Sequence, residues 1–226
     1  MHEFKGKRIL IAGLGKSGVA AFDALVRTGA LPAVFDDRDI EADAPGFFEK
    51  LKAVGVDCYL NGNPVPDEAW DFVIPSPGVP LWLPFIESAA GRGAAVIGEL
   101  ELAYLLGHGS YVAITGTNGK TTTTTLVGEI FANAGRNAVV VGNIGTAALT
   151  KAQDADGETW LITEVSSFQL ETTERFRPRI AAFLNFTPDH MDRHKSMENY
   201  AAAKAKIFAN QEAGDVLVYN ADDERA

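Results

Sequence analysis

Twice along the chain, a short apolar segment leads into a glycine-containing loop and then into a segment with helical periodicity. The first is RILIAGLGKSGVAAFDALVRTGA, with a predicted strand from Arg8 to Ala12 and a helix that stops near Gly29. The second is YVAITGTNGKTTTTTLVGEIFANAG, which begins at Tyr111. An opening of strand, glycine loop and helix is typical of α/β domains, in which helices cover a mostly parallel sheet. The chain is therefore predicted to form two α/β units.

Further apolar runs predict the remaining strands of both units. In the first unit they lie in LPAVFDD, VDCYL, DFVI and AAVI, and in the second in NAVVVGN, TWLITEVSS, IAAFLNF and DVLVYN. Helices are predicted over residues 84–92 and 197–209. Small residues in LLGHGS mark the change from one unit to the next, which predicts domains at residues 1–107 and 108–226.

Composition excludes several classes of protein. The net charge of −10 over 226 residues argues against a nucleic-acid partner. A single cysteine, Cys58, rules out an internal disulfide and favours a reducing compartment. No apolar stretch approaches the roughly 20 residues that cross a bilayer, and the start lacks the pattern of a signal peptide. We therefore expect a cytoplasmic protein with no membrane partner.

The first glycine loop has the pattern G-x-G-x-x-G at Gly13, Gly15 and Gly18. Such a loop brings a pyrophosphate close to the backbone and to the start of a helix. Asp36 ends the next strand, where an acid binds ribose in dinucleotide folds. Three interpretations remain open at this point: an NAD site, a site for another nucleotide diphosphate, or a tight turn that binds nothing.

The second glycine loop, GTNGKT, gives a sharper prediction. Its amides can surround phosphate oxygens, Lys120 can reach the β- and γ-phosphates, and the Thr121 hydroxyl can bind Mg²⁺. It is shorter than the common P-loop, because Ile114 stands where that loop has its first glycine. An ATP-type site is predicted, against the alternative of a glycine-rich turn with a chance lysine.

Acids and histidines follow two of the predicted strands. Glu164 ends the apolar run TWLIT, where a buried carboxylate is costly unless it is paired or binds a metal, so a Mg²⁺ ligand is predicted. The segment NFTPDHMDRH carries four potential ligands, although a polar loop of this kind is more often only solvated. They are Asp189, His190, Asp192 and His194.

Two lysines, Lys204 and Lys206, lie in the helical segment NYAAAKAKIF. Either could be a surface residue with its alkyl chain partly buried, or a functional amine. The residues alone do not choose between them.

Taken together, GTNGKTTT, GNIG, TEVSSFQLETT and LNFTPDHMDRH resemble the central domain of the Mur ligase family. The motifs IAGLGKSG, FDDR, SPG and GELEL are similar to the first domain of its D-glutamate-adding type, so the resemblance covers essentially the whole chain. It implies a Rossmann-like domain that binds a UDP-linked substrate, followed by a P-loop-type domain that binds ATP and Mg²⁺. It also implies a third domain for D-glutamate. We expect that domain to be absent, and this chain to be a truncated fragment, inactive alone.

The resemblance also implies roles for individual residues. The phosphate loop would consist of Gly116, Thr117, Asn118, Gly119, Lys120, Thr121 and Thr122. The catalytic residues would be Lys120, Glu164, His190 and Lys204, and the metal ligands Thr121, Glu164, His190 and a carbamylated Lys204. The UDP part would contact Lys16, Ser17, Asp37, Arg38 and Gly78, and the muramoyl-alanine part Asn143 and His190. Asp37 departs from the threonine that relatives often carry.

The implied reaction joins a carboxylate to an amine. ATP would convert the carboxylate of UDP-N-acetylmuramoyl-L-alanine to an acyl phosphate, which the amine of D-glutamate would attack. Two alternatives stay open: another Mur or folylpolyglutamate-type ligase, or a nucleotide-binding module without ligase activity.

Overall fold

The computed structural model describes residues 3–223, which divide into two compact units between Glu99 and Leu100. Each unit contains a five-stranded sheet whose paired strands all run parallel. The predicted α/β class is thus confirmed. The predicted domain boundary at residues 107 and 108 falls just after a helix that lies almost wholly in the second unit, and it stays a prediction.

The first sheet has the order β3-β2-β1-β4-β5. Its strands are β1 (Arg8–Ala12), β2 (Leu31–Asp36), β3 (Asp57–Leu60), β4 (Phe72–Pro75) and β5 (Ala95–Val96). The central strand β1 is buried from Ile9 to Ala12, as expected of a strand covered on both faces. In register, Ala12 lies opposite Phe35 and Pro75, so the carboxyl ends of these strands meet at one edge.

Four helices accompany this sheet among the described residues: α1 (Lys16–Thr28), α2 (Ile40–Asp43), α3 (Pro45–Val54) and α4 (Pro84–Gly91). Helix α1 ends where predicted, at Gly29, whose φ of 77° is the left-handed conformation that glycine adopts without strain. Helices α2 and α3 were not predicted. Their apolar signal is weak, because each buries a single side chain, Ile40 and Leu51 respectively.

The second sheet has the order β10-β9-β6-β8-β7. Its strands are β6 (Ser110–Thr115), β7 (Ala138–Gly142), β8 (Trp160–Glu164), β9 (Ile180–Phe183) and β10 (Val216–Tyr219). The first strand in the chain, β6, lies in the middle, between β8 and β9. Ligands of parallel sheets bind beyond the carboxyl ends of the strands, at the point where the strand order reverses. In this sheet that point lies at β6.

The helices of this part are α5 (Glu99–Leu106), α6 (Lys120–Asn133), α7 (Ala148–Asp154), α8 (Ser167–Glu171), α9 (Met191–His194) and α10 (Met197–Ala205). The core of the sheet includes Val112, Ile114 and Ile162, against which Phe131 of α6 and Trp160 pack. Across residues 3–223, no helix combines the length and the apolarity that a membrane crossing requires.

Candidate active site

The loop between β6 and α6 has the geometry of an anion site. Gly116 and Gly119 have φ values of 156° and 80°, which let the backbone turn sharply before the helix starts at Lys120. The first turn of α6 carries no acidic residue. Amides at the start of a helix lack intrahelical acceptors and carry partial positive charge, so they favour bound phosphate.

Two lysines converge on one carbonyl group of this loop. The Nζ atom of Lys120 donates to the oxygens of Gly116 and Thr117, at 3.0 and 2.9 Å. The Nζ atom of Lys204, on α10, donates to the same Gly116 oxygen at 2.8 Å and to the Thr115 hydroxyl at 3.3 Å. The loop therefore lies beside two cationic groups from different helices.

Lys204 is the more unusual of the two, because its side chain is almost fully buried. Burial, with the nearby charge of Lys120 as a smaller cause, lowers the pKa of Lys204 from 10.5 to about 7. Lys206 instead donates to the carbonyls of Glu171 and Thr173, at 2.6 and 3.2 Å. Of the two lysines, Lys204 is thus the one at the phosphate loop.

Glu164 meets two of the predicted site residues. The Thr121 hydroxyl donates to its Oε2 atom at 2.7 Å, and the Asn143 side-chain amide donates to its Oε1 atom at 2.9 Å. Glu164 is 2% exposed, yet no cationic side chain of residues 3–223 forms a salt bridge with it. A buried carboxylate that has only neutral hydrogen-bond donors around it can be compensated by a bound cation.

Gly142, the last residue of β7, allows this arrangement. It has a φ of 106°, and a Cβ atom there would lie 2.3 Å from the backbone oxygen of Glu164. The amide of Asn143 donates to that same oxygen at 2.9 Å. The absence of a side chain at Gly142 lets the chain pass close enough for Asn143 to reach Glu164.

His190 lies on the loop that follows β9. Its backbone is in the left-handed region with a φ of 53°, which is uncommon for a residue other than glycine. The imidazole lies 3.4 Å from the Asp189 carboxylate and packs on the Phe168 ring, with centroids 4.9 Å apart. Within residues 3–223, it makes no hydrogen bond or salt bridge with Glu164 or Thr121.

His194 is not a free ligand, because it belongs to a buried network. Its Nε2 atom lies 2.9 Å from the Ser167 hydroxyl and its Nδ1 atom 3.2 Å from Glu171, which also binds Arg193. Burial, opposed by the charge of Glu171, lowers the pKa of His194. This network holds α8, which follows Glu164, against α9, which follows His190.

Sequence reasoning missed two residues that contact the phosphate loop. The Tyr200 hydroxyl lies 3.4 Å from the Thr117 hydroxyl, and the Tyr200 ring lies 4.9 Å from Lys204 Nζ. Asn185, just after β9, hydrogen-bonds the backbone of the loop. The position of Asn185 at a strand end was a usable signal, whereas Tyr200 gave none beyond its spacing of one helical turn from Lys204.

No complete metal cage is preformed. Across residues 3–223, no three His, Cys, Asp or Glu side chains cluster closely enough to hold an ion. The oxygen donors of Glu164 and Thr121 nevertheless suit Mg²⁺, which is usually bound through one or two protein ligands together with water and nucleotide phosphates. The residues present therefore fit this ion.

The first unit has its own glycine loop, in which close backbone contacts dominate. A Cβ atom at Gly18 would lie 1.8 Å from the oxygen of Gly13, whereas one at Gly15 would meet nothing within 4 Å. The Ser76 hydroxyl donates to the Gly13 oxygen at 2.8 Å. Gly18 is thus required for close packing of α1 against the loop.

Asp36 has an internal role in this loop. Its carboxylate accepts hydrogen bonds from the Leu14 amide at 2.6 Å and from the backbone and guanidinium of Arg38. Burial raises the pKa of Asp36, but these hydrogen bonds outweigh it and the pKa is lowered. Since both oxygens are engaged within the protein, this geometry does not favour Asp36 as a ribose ligand of NAD.

The other predicted contacts of the first unit lie at the same edge of its sheet. Lys16 and Ser17 form the first turn of α1, while Gly78 is exposed in the loop after β4. Asp37 lines a cavity of about 520 Å³ with a mostly apolar wall that includes Phe35 and Trp70. A pocket of this size and character suits a small planar ring.

Two family models match this chain. Residues 114–226 match the model of the Mur ligase middle domain. The chain belongs to the Mur ligase family. Residues 7–98 match the model of the Mur ligase MurD-like N-terminal domain. The family resemblance of the motifs is thereby confirmed.

Several curated proteins are similar to this chain over nearly its whole length. The UDP-N-acetylmuramoylalanine--D-glutamate ligase of Pelotomaculum thermopropionicum is 48% identical over 225 residues, which are 99% of this chain and 49% of that protein. A protein of the same name from Clostridioides difficile is 46% identical over 98% of this chain and 49% of its own length. The chain thus spans about half the length of these relatives.

A solved structure supports the fold alone. The UDP-N-acetylmuramate:L-alanyl-gamma-D-glutamyl-meso-diaminopimelate ligase from Neisseria meningitides matches 97% of this chain and 72% of its own, with a TM-score of 0.57 and 19% identity.

Proposed function

We propose that this chain carries the UDP-substrate and ATP sites of a ligase that joins D-glutamate to UDP-N-acetylmuramoyl-L-alanine. The observation that carries the proposal is Glu164, a buried carboxylate without a cationic partner in the described chain, bonded to Thr121 in the first turn after the phosphate loop. This arrangement supports a Mg²⁺-nucleotide site. The names of relatives at 46–48% identity supply the reaction.

The ATP phosphates bind at the start of α6 in this proposal. Lys120 and the amides of the first helical turn would contact the negatively charged phosphates, and Gly116 and Gly119 would let the backbone come close to them. Lys120 turns from the carbonyls of Gly116 and Thr117 towards the phosphates when they are present. The ammonium then stabilises charge that spreads over the transferred phosphoryl group.

Mg²⁺ would be held by Glu164 and Thr121, with His190 and Lys204 as the further predicted ligands. When bound, the ion neutralises phosphate charge during phosphoryl transfer. Asn143 holds the Glu164 carboxylate from the other side, at 2.9 Å, and so fixes its orientation. Asn143 and His190 are also the proposed contacts of the muramoyl-alanine part.

The reaction has two steps. A carboxylate oxygen of the L-alanine part attacks the γ-phosphorus of ATP, and the bond from that phosphorus to the bridging oxygen breaks. ADP is the leaving group, and the product is an acyl phosphate. The D-glutamate amine then attacks the acyl carbon, loses a proton, and the C–O bond to phosphate breaks. The site contributes mainly position and charge.

Carbamylation of Lys204 is a part of the proposal that its burial supports. With a pKa of about 7, a large share of the Lys204 amine is neutral near physiological pH. The neutral nitrogen can attack CO₂, forming an N–C bond and releasing a proton to solvent. The product is an anionic carbamate, which converts a cation beside Gly116 into an oxygen ligand for a metal.

The UDP part binds at the glycine loop of the first unit. Lys16 and Ser17, at the start of α1, would contact the diphosphate, while Asp37, Arg38 and Gly78 would surround the uridine. The cavity beside Asp37 supports a site for the base. We also propose a cytoplasmic location, in keeping with nucleotide-linked substrates.

Calorimetry tests the choice of ligand. UDP-N-acetylmuramoyl-L-alanine is expected to bind and NADH is expected not to bind. Tight NADH binding without binding of the UDP compound would contradict the proposal.

An activity assay tests the reaction in the protein that carries this chain. Phosphate release should require ATP, Mg²⁺, the UDP substrate and D-glutamate together. Release without D-glutamate dependence would favour another ligase of the family, and nucleotide binding without any release would favour a binding module.

A further inference from the structure

Asn185 holds the phosphate loop from outside, through its side-chain carboxamide. Its Oδ1 atom accepts from the amides of Thr117 and Asn118, at 3.1 and 2.9 Å. Its Nδ2 atom donates to the oxygen of Asn118 at 3.0 Å. A single side chain therefore engages both the donors and an acceptor of the peptide units that precede Gly119.

The backbone around Asn185 adds further hydrogen bonds to the same part of the loop. The Asn185 oxygen accepts from the Thr117 amide at 3.1 Å, and the Leu184 amide donates to the Thr115 oxygen at 3.0 Å. The Thr117 hydroxyl donates to the Thr187 oxygen and accepts from the Thr187 amide, both at 3.0 Å. Residues 184–187 thus follow residues 115–118 closely along the edge of the sheet.

We propose that Asn185 is a positioning residue for the ATP site, which fixes the phosphate loop in its binding shape. This inference rests on the proposed function. Because the amides of Thr117 and Asn118 donate to Asn185, this segment of the loop is held in one conformation. Phosphate oxygens are then met by the first turn of α6, with Lys120 and Thr121.

The chemistry of the side chain supports this role. A carboxamide supplies both an acceptor and a donor without net charge. It can therefore stand beside a polyphosphate without the repulsion that a carboxylate would cause. A loop fixed before binding loses less conformational freedom when the nucleotide arrives, which favours affinity.

Asn185 also connects two halves of the site. The chain runs from Asn185 through Thr187 to His190, so the hydrogen bonds that fix the phosphate loop also fix the start of the histidine loop. The distance between the nucleotide phosphates and the His190 region is accordingly set by this contact.

The test is steady-state kinetics of Asn185→Ala in the protein that carries this chain. Because each lost hydrogen bond contributes a factor of a few to about ten, KM for ATP should rise roughly tenfold to a hundredfold. KM for the UDP substrate should rise less than KM for ATP, because only its proposed muramoyl-alanine contact at His190 is linked to Asn185, while its diphosphate and uridine contacts lie in the first unit. Equal rises for both substrates, or no rise for ATP, would overturn the inference.

Asn210→Ala is the matched control. Asn210 is also half-buried and also ties a loop through two side-chain bonds, to the oxygens of Glu174 and Phe176 at 2.8 and 3.1 Å. It touches no part of the phosphate loop, so KM for ATP should be unchanged. The same rise in Asn210→Ala would show general loosening and contradict a positioning role.

Hydrogen exchange gives a readout that does not need activity. The Asn118 amide should exchange faster in Asn185→Ala, while the amides of β6 stay protected. The Thr117 amide should change less, because it also donates to the backbone oxygen of residue 185. Asn185→Asp keeps the Oδ1 acceptor but loses the Nδ2 donor to Asn118, so it should keep part of the protection of the Asn118 amide, even if the alanine variant does not fold. Exchange of that amide at the rate of an unfolded chain, while β6 stays protected, would refute the role of Oδ1. Wild-type protein without D-glutamate-dependent phosphate release would instead refute the proposed function itself.

Discussion

The two glycine loops begin alike, yet they are held by groups of different charge. In the first unit, the Gly13 oxygen accepts from the Ser76 hydroxyl, and the Leu14 amide donates to the Asp36 carboxylate. Arg38 balances that carboxylate through its guanidinium. The supports of the first loop are thus a hydroxyl and a paired acid.

In the second unit, the corresponding positions carry neutral and cationic groups. The Gly116 oxygen accepts from Lys120 and Lys204, and the amides of Thr117 and Asn118 donate to the Asn185 carboxamide. The two turns therefore differ in the charge of the side chains that hold them, although both are turns from a strand into a helix. The glycines provide only the turn.

The largest expected effect separates the lysines that begin the two helices, Lys16 of α1 and Lys120 of α6. Lys120→Met should lower kcat by about 10²–10³-fold, because a preorganised charge at the transferred phosphoryl group is lost. Lys16→Met is the matched change and should mainly raise KM for the UDP substrate. Similar kcat losses in the two variants would break the comparison.

The next effect concerns packing in the first loop. Gly18→Ala should lower the free energy of unfolding by about 1–3 kcal/mol or more, because its Cβ would overlap the Gly13 oxygen. Gly15→Ala should change it by no more than about 0.5 kcal/mol, because the space there is open. Urea unfolding measures the free energy of unfolding of each variant, and hydrogen exchange in β1 shows whether the first unit is the part affected. Equal losses in the two variants would contradict the close contact between Gly18 and the Gly13 oxygen.

The buried amine of Lys204, on α10 beside the second loop, predicts that carbamate formation depends on pH. The pKa of Lys204 is lowered to about 7, so its neutral form grows as the pH rises through 7 and dominates above it. Carbamate formation with ¹³C-labelled bicarbonate should therefore rise about tenfold from pH 6 to pH 8, by NMR. The signal should vanish in Lys204→Ala and persist in Lys206→Ala. A signal that depends on Lys206 would reverse the assignment.

The smallest expected effect on substrate binding comes from neutralising Asp36, which accepts from the Leu14 amide in the first loop. Asp36→Asn keeps an acceptor for the Leu14 amide but leaves Arg38 without its charged partner. KM for the UDP substrate should rise by a factor of about five, which corresponds to a hydrogen bond of ~1 kcal/mol, while KM for ATP stays constant. A change in KM for ATP alone would mean that the two loops are not independent in the way proposed.

Much of the fold was predictable because buried parallel strands leave continuous apolar runs. Strand β1 has its predicted bounds, and Gly29 ends α1 as expected. Strand β9 is shorter than the apolar run IAAFLNF, since it ends at Phe183. Beyond that point Asn185 hydrogen-bonds the phosphate loop, and the pattern of apolar residues does not predict such a polar contact.

The site was predictable where topology alone determines proximity. Thr121 and Glu164 meet because the loop after β6 and the end of the neighbouring strand β8 lie at the same edge of the sheet. The choice of Lys204 over Lys206 was not predictable, because it depends on how α10 is rotated against the sheet. The catalytic roles of these residues stay predictions.

Gly142 has a consequence that can be stated in genetic terms. Any single-base missense change in a glycine codon introduces a side chain with a Cβ atom, and a Cβ at this position would lie 2.3 Å from the Glu164 backbone oxygen. Every such allele would displace the strand end that bears Glu164. A residue without functional groups should therefore tolerate as little natural variation as the carboxylate beside it.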